Sequence, residues 1–167
     1  SLFMVIFFII SKSNAAIIYV SDVGDDDLGN GSSEAPYLTI QKGIDEAYYM
    51  DTVMVLDGIY TGGVTIDSKQ ISLIGESMTE TKLNVPITEP NISILNCSDT
   101  VRVENFKILR GTSSNGGGLY LNNSHVLAQN LDLSRHSSSA SGGAINLISS
   151  SLKLKDSQIY LSSSELH

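Results

Sequence analysis

The stretch SDVGDDDLGNG gathers Asp22, Asp25, Asp26 and Asp27 close together in the chain. Carboxylate oxygens are hard ligands and suit Ca²⁺. The EF-hand spacing D-x-[DN]-x-[DN]-G is not met, because Gly29 stands where the third acid belongs. Two readings stay open: an irregular Ca²⁺ site on these four aspartates, or a structural loop. No other cofactor is expected.

Asp132, Arg135 and His136 form the other cluster of chemically capable side chains. General acid–base hydrolysis of a glycoside needs paired carboxylates, and no such pair stands near them, so the triplet reads as a solvated turn. No catalytic residue is assigned. The single cysteine, Cys97, excludes an internal disulfide and a multi-cysteine zinc site, and it reads as a small buried apolar residue. Four Asn-x-Ser triplets, at Asn30, Asn91, Asn96 and Asn122, are candidate glycosylation sites.

The bulk properties narrow the partners. The 167 residues carry a net charge of −8, which argues against nucleic acid and against electrostatic attachment to anionic lipid. At 41% hydrophobic residues the chain has enough apolar mass for a packed core. The apolar run Leu2 to Ile10 is too short for a transmembrane helix, which takes about 20 residues. It fits a secretory signal with the small residues Ser13 and Ala15 before a cut. We expect residues 1–15 to be a signal peptide truncated at its start, and the protein to be secreted or displayed at the cell surface.

The remaining chain must supply the elements that position these groups. IIYVSD reads as a strand, and LTIQKGIDEAYYMD places Ile40, Ile44, Ala47 and Tyr48 at helical spacing. Thr39 is the expected N-cap of a short amphipathic helix over roughly residues 39–49. Gly43 weakens that helix by about 1 kcal/mol relative to Ala. From Asp51 the apolar period becomes two, and short strands follow one another to the end: DTVMVLDG, VTID, ISLIGE, NISILN, VRVENFKIL, GLYLNN, HVLAQNLDLS, AINLIS and SLKLKDSQIYLS.

The late strands repeat. Leu119, Leu121, Val126, Ala128 and Leu133 precede Ile145, Leu147, Leu152, Leu154 and Ile159 by 26 residues each. Val101, Val103, Asn105, Phe106 and Ile108 stand 25 residues before Val126, Ala128, Asn130, Leu131 and Leu133. Ile92 and Ile94 stand 27 before Leu119 and Leu121. One such repeat cannot bury its own apolar side chains; stacked on the next, it forms parallel ladders and continuous interior columns. The predicted fold is all-β: a right-handed parallel β-helix, or solenoid, with a short N-terminal capping α-helix. Residues 16–50 are expected to hold the first strand, the acidic loop and the helix, and residues 51–167 the coils, with more coils expected beyond. Gly116-Gly117-Gly118 and Gly142-Gly143 mark one corner. The helix is expected to cover the open edge of the first coil.

Residues 18–76 also carry a set of motifs: the Y-V-S strand, the Gly/Asp/Asn loop, S-E-A-P-Y-L-T-I-Q-K-x-I leading into the helix, the D-T-V strand, the G-x-Y-T turn and the I-S-L-I-G strand. Together they resemble the opening of the pectin-lyase-like right-handed β-helix superfamily. Gly-Gly-Ala-Ile at 142–145 and Gly-Gly-Leu-Tyr at 117–120 also look like the repeats of adhesin-like and polymorphic outer-membrane β-helix proteins. The resemblance implies either a polysaccharide lyase or glycoside hydrolase, or a binding protein. Lyases of this shape use carboxylates stacked on neighbouring coils, with an Arg or Lys as base. Here Asp99, Glu104, Asp132 and Asp156 are sparse, and Arg102, Arg110 and Arg135 are scattered. We therefore expect a secreted or cell-surface, non-catalytic β-helix that binds glycans or cell-surface proteins along its face. The alternative is a pectate-lyase-like polysaccharide lyase or glycoside hydrolase whose active coils lie beyond residue 167.

Overall fold

The computed structural model describes residues 15–84, 89–160 and 163–164, so the expected signal peptide lies outside the described residues except for Ala15. Its elements are β1 (Ile17–Val20), α1 (Ile40–Glu46), β2 (Thr52–Val55), β3 (Gly58–Tyr60), β4 (Val64–Asp67), β5 (Ser72–Gly75), β6 (Thr81–Asn84), β7 (Ile92–Leu95) and β8 (Thr100–Leu109). Then follow β9 (Thr112–Asn115), β10 (Leu119–Asn122), β11 (His125–Ser134), β12 (Ser137–Ser141), β13 (Ile145–Ile148), β14 (Ser151–Lys155), β15 (Gln158–Tyr160) and β16 (Ser163–Ser164). The strands wind into a parallel β-solenoid of about 4 turns, with a single short helix among the described residues.

Three sheets run along the solenoid. One follows β1-β2-β5-β8-β11-β14, with β3, β6 and β15 joining where the long strands β8 and β11 continue past a bend. The second is β4-β7-β10-β13 and the third β9-β12-β16. The register matches the repeats seen in the sequence: Val126 lies between Val101 and Leu152, and Leu119 between Ile92 and Ile145. One interior column runs Ile18, Val53, Leu73, Val103, Ala128, Leu154 from coil to coil. Its four central members are fully buried. Phe106 stacks on Leu131, both without solvent contact.

Corners repeat as well. Ser68, Asn96, Asn123 and Ser149 all take positive φ, as do Asn105, Asn130 and Asp156, and Arg110 and Arg135. Left-handed backbone is least costly for Asn and Asp, whose short polar side chains bond locally. At the second of these corners, Asn130 Nδ2 donates to Asn105 Oδ1 at 3.1 Å, and Asn105 Nδ2 to the Gly75 carbonyl at 3.1 Å. Gly116 and Gly142 hold the expected glycine corner at φ +83° and +54°.

Serine supplies a second kind of rivet. The Cys97 amide donates to Ser124 Oγ, the Ser124 amide to Ser150 Oγ and the Leu131 amide to Ser157 Oγ, at 3.0 to 3.1 Å. Each hydroxyl in turn donates to a carbonyl of its own coil. Cys97 occupies the coil position that Ser124 and Ser150 hold, and its Sγ lies 3.2 Å from the Leu95 carbonyl. It is buried, as expected, but it stands in for a serine.

The helix lies where the sequence places it, with Thr39 as N-cap accepting from the Lys42 amide at 3.2 Å. It is shorter than expected. Ala47 is already extended, and Tyr48 is 79% exposed rather than packed on the core. Two side chains draw the chain away at this point. Lys69 Nζ donates to the carbonyls of Ile44, Asp45 and Ala47 at 2.8 to 3.1 Å, satisfying the helix C-terminus. The Asp51 carboxylate accepts from the Tyr48 amide at 2.8 Å and the Ala16 amide at 2.7 Å. Ile40 and Ile44 close the core over the first coil. Gly43 has a purpose despite its cost: a Cβ there would stand 2.6 Å from Val20 Cγ2 and 3.0 Å from Val53 Cγ1.

Candidate functional site

The acidic loop uses its carboxylates internally. Asp25 Oδ1 accepts from the amides of Asp27 and Leu28 at 2.8 and 2.9 Å. Asp26 accepts from the Leu38 and Thr39 amides and from the Thr39 hydroxyl, tying the loop to the start of α1. Burial pushes the Asp26 carboxyl up, but these bonds and the charge of Lys42 together hold it below its ordinary value. Asp22 Oδ2 accepts from the Ile59 amide at 3.1 Å, on the far side of the loop. Among the described residues no three Asp, Glu, His or Cys side chains gather in a group that could hold a metal ion. The structure thus does not bring Asp22, Asp25, Asp26 and Asp27 together as a Ca²⁺ site.

The Asp132, Arg135, His136 triplet is also dispersed, and one expectation about it is corrected. His136 is not on a solvated turn; it is 1% exposed. The Gly111 amide donates to its Nδ1 at 3.1 Å, which leaves Nε2–H to donate to the Ile108 carbonyl at 3.0 Å. Burial pushes the imidazole below its ordinary range, against the opposing pull of the Ile108 carbonyl and Asp132. The ring is a neutral brace between coils. Arg135 occupies a corner, and Asp132 faces outward beside Lys107, 3.6 Å away.

The Asn-x-Ser sites separate by burial. Asn30 and Asn96 are exposed and Asn122 is half-buried. Asn91 is 0% exposed, with Nδ2 turned toward the Leu109 carbonyl at 3.4 Å, so the folded coil has no room for a glycan on it.

Among the described residues the surface has several concave regions. A cleft of about 420 Å³ lies between α1 and the Tyr60–Val64 turn, lined by Asp22, Leu38, Gln41, Ile59 and Thr61 among others. Its polar groups are committed: Gln41 bonds Asp45 and both backbone groups of Thr65, and Asp22 holds Ile59. A hollow of about 340 Å³ on the β11/β14 ladder contains His125 Nδ1 2.8 Å from Ser151 Oγ. That spacing suits an activated nucleophile, but the Ser151 amide is engaged with the Ser124 carbonyl and so offers no oxyanion donor.

The third region is the corner beyond α1. A groove of about 280 Å³ runs between Tyr48, Tyr49, Glu46, Lys69 and Gln70, and continues past Tyr49 and Gln70 into a smaller hollow by Asn96 and Asp99. Tyr49 is 61% and Met50 57% exposed. Met50 is held at φ 69° with its backbone N–H donating a hydrogen bond to the Gln70 carbonyl at 2.8 Å. The sequence reading missed this groove because it counted Tyr48 into the helix; the signal was the run Tyr48-Tyr49-Met50, too apolar for a plain turn.

Some outward positions are in register and carry polar groups from coil to coil, while the neighbouring row Asp67, Leu95, Asn122, Ile148 mixes polar and apolar residues. Thr65, Ser93, Tyr120 and Asn146 form one such polar row along the second sheet. No helix among the described residues is long and apolar enough to cross a membrane. In comparisons with known proteins no family model matches the chain, and neither a curated protein nor a solved structure is significantly similar to it.

Proposed function

We propose that this chain is a secreted or cell-surface β-solenoid of the pectin-lyase-like type that binds glycans, or glycan-bearing surface proteins, along its outer face without cleaving them. The observation that carries this reading is the row Thr65, Ser93, Tyr120, Asn146. Parallel stacking sets such rows about 4.8 Å apart from coil to coil. That spacing is close to the length of one sugar ring in an extended chain. Hydroxyls and amides along the row can donate and accept in turn, as sugar hydroxyls require.

Two further features support binding over cleavage. Asp22, Asp25 and Asp26 of the loop accept from backbone amides, and the charged pairs Lys107–Asp132 and Arg102–Glu104 neutralise one another on the outer face. The order of strand, acidic loop, helix and strand over residues 17–55 supports the superfamily assignment. Co-sedimentation with insoluble plant, fungal and bacterial polysaccharides tests the proposal. Retention of the protein on a polysaccharide with no release of reducing ends or unsaturated product is the expected result. Product release without retention would overturn it.

A further inference from the structure

We infer that the groove at the corner beyond α1 is a binding site for an uncharged saccharide, stacked on Tyr48 and Tyr49. The inference rests on the glycan-binding reading and gives it a location. Two exposed aromatic rings and a methionine in sequence are unusual for a turn, since exposed apolar surface that gathers in one place marks a contact surface. Tyrosine presents a flat apolar face with a polar tip. The C–H face of a pyranose ring is apolar while its rim is hydroxylated, so the two chemistries match.

The polar groups of the groove point the same way. Gln70 Oε1 is buried and has no hydrogen-bond partner. A buried acceptor left unpaired is destabilising, and a turn of this side chain into the groove would let it accept a sugar hydroxyl. The cleft on the other side of α1 has no comparable group: its Gln41 amide is fully used.

Charge selects among saccharides. Lys69 is fixed on three carbonyls, Glu46 is paired with Lys42 at 2.7 Å, and Asp45 is bonded by Gln41. With those groups committed, Asp99 is the carboxylate at the far end of the groove. A polyuronate would meet that carboxylate and a protein of net charge −8; a neutral chain meets neither obstacle.

Titration of the purified chain with cellohexaose, xylohexaose, mannohexaose and hexagalacturonate, followed by saturation-transfer NMR, tests the inference. At least one neutral hexasaccharide should bind, with its ring C–H protons receiving the transfer, and hexagalacturonate should not. The Tyr48→Ala/Tyr49→Ala double variant should weaken binding at least about tenfold, the factor that 1.4 kcal/mol of lost contact gives. Gln70→Leu should weaken it while leaving the melting temperature unchanged or raised. Tyr48→Phe should retain it, because the ring face carries the contact. Wild-type affinity in the double alanine variant would overturn the site and leave the wider glycan reading standing. Equal binding of hexagalacturonate would overturn the charge argument, and with it the site. Sedimentation showing a dimer that the double variant abolishes would replace the saccharide with a second copy of the chain. Failure of the wild type to bind any of the four sugars or any insoluble polysaccharide would overturn both readings.

Discussion

The helix-covered first coil and the coils from β8 onward reach the same solenoid by different means. Around α1 each contact is made once, by a side chain with no counterpart elsewhere: Asp26 on Thr39, Asp51 on Ala16 and Tyr48, Lys69 on the helix carbonyls. From β8 onward the same contact recurs in each coil, as in the asparagine pair at the bend and the serine hydroxyls under successive amides. Unique contacts let the first coil vary its loops and carry a groove. Recurring contacts let the later coils use almost featureless residues, provided that the register holds. Neighbour interactions of this kind add along a solenoid, so damage to a recurring contact should spread to the coils on both sides.

The largest effect should come from the shared core. Phe106→Ala should destabilise the fold by about 3–5 kcal/mol, measured by chemical denaturation, because Phe106 is fully enclosed and stacks on Leu131. A loss below about 1 kcal/mol, the scale of a surface substitution, would mean that the coils are not packed as described.

Mild acid should come next. The fold holds His136 neutral, below its ordinary value of 6.5. Above pH 6.5 the folded and unfolded chains are both neutral at this ring, and its contribution is complete. As the pH falls below that value the unfolded chain takes up a proton that the folded chain refuses, and stability drops toward the depressed folded pKa. The depressed carboxyls of Asp26, Glu34 and Glu46 act in the same direction, but only below their ordinary values of 3.8 to 4.5. The melting temperature should therefore decline as the pH is lowered from 6.5 in the wild type, and His136→Asn should flatten that decline. An unchanged slope in the variant would remove His136 from the account.

Single hydrogen bonds sharpen the comparison further. Ser124→Ala orphans the Cys97 amide and should cost about 1–3 kcal/mol, with hydrogen exchange accelerated in β7 as well as β10. Thr39→Ala removes the helix N-cap and should cost about 1 kcal/mol, with exchange accelerated only in α1 and its loop. Equal spread from both substitutions would erase the distinction between the two regions. The smallest effect is expected for Cys97→Ser, which places a hydroxyl where Ser124 and Ser150 already have one. Its melting temperature should match the wild type closely.

The late coils were almost fully legible in the sequence, because their apolar residues recur at 25 to 27 positions and each meets the partner that the spacing gives it. The polar strands β9 and β12 were not. TSSN and SSSAS have no apolar alternation, and they are strands because the coil above and below fixes their register. The G-x-Y motif was read as a turn and forms β3, where Tyr60 is anchored by donating to the Leu56 carbonyl at 2.8 Å. His136 was misplaced for a related reason. Its neighbours are serine and arginine, so nothing local signals burial; the groups that hold the ring, the Gly111 amide and the Ile108 carbonyl, lie more than twenty residues earlier in the chain. The corner groove depends on where α1 stops, and that is set by Asp51 together with Lys69, the latter more than twenty residues further along the chain.

Asn91 is an Asn-x-Ser triplet whose side chain the folded coil encloses completely, so folding and modification at this position exclude one another. In a cell that modifies such triplets as the chain emerges, an oligosaccharide attached there could never be enclosed, and the strand that begins at Ile92 would be held out of its ladder. In such a cell only molecules left unmodified at Asn91 would reach the native state. Occupancy at position 91, set against that at Asn96 a few residues later, would thus serve as a clock for how soon the middle of the solenoid closes.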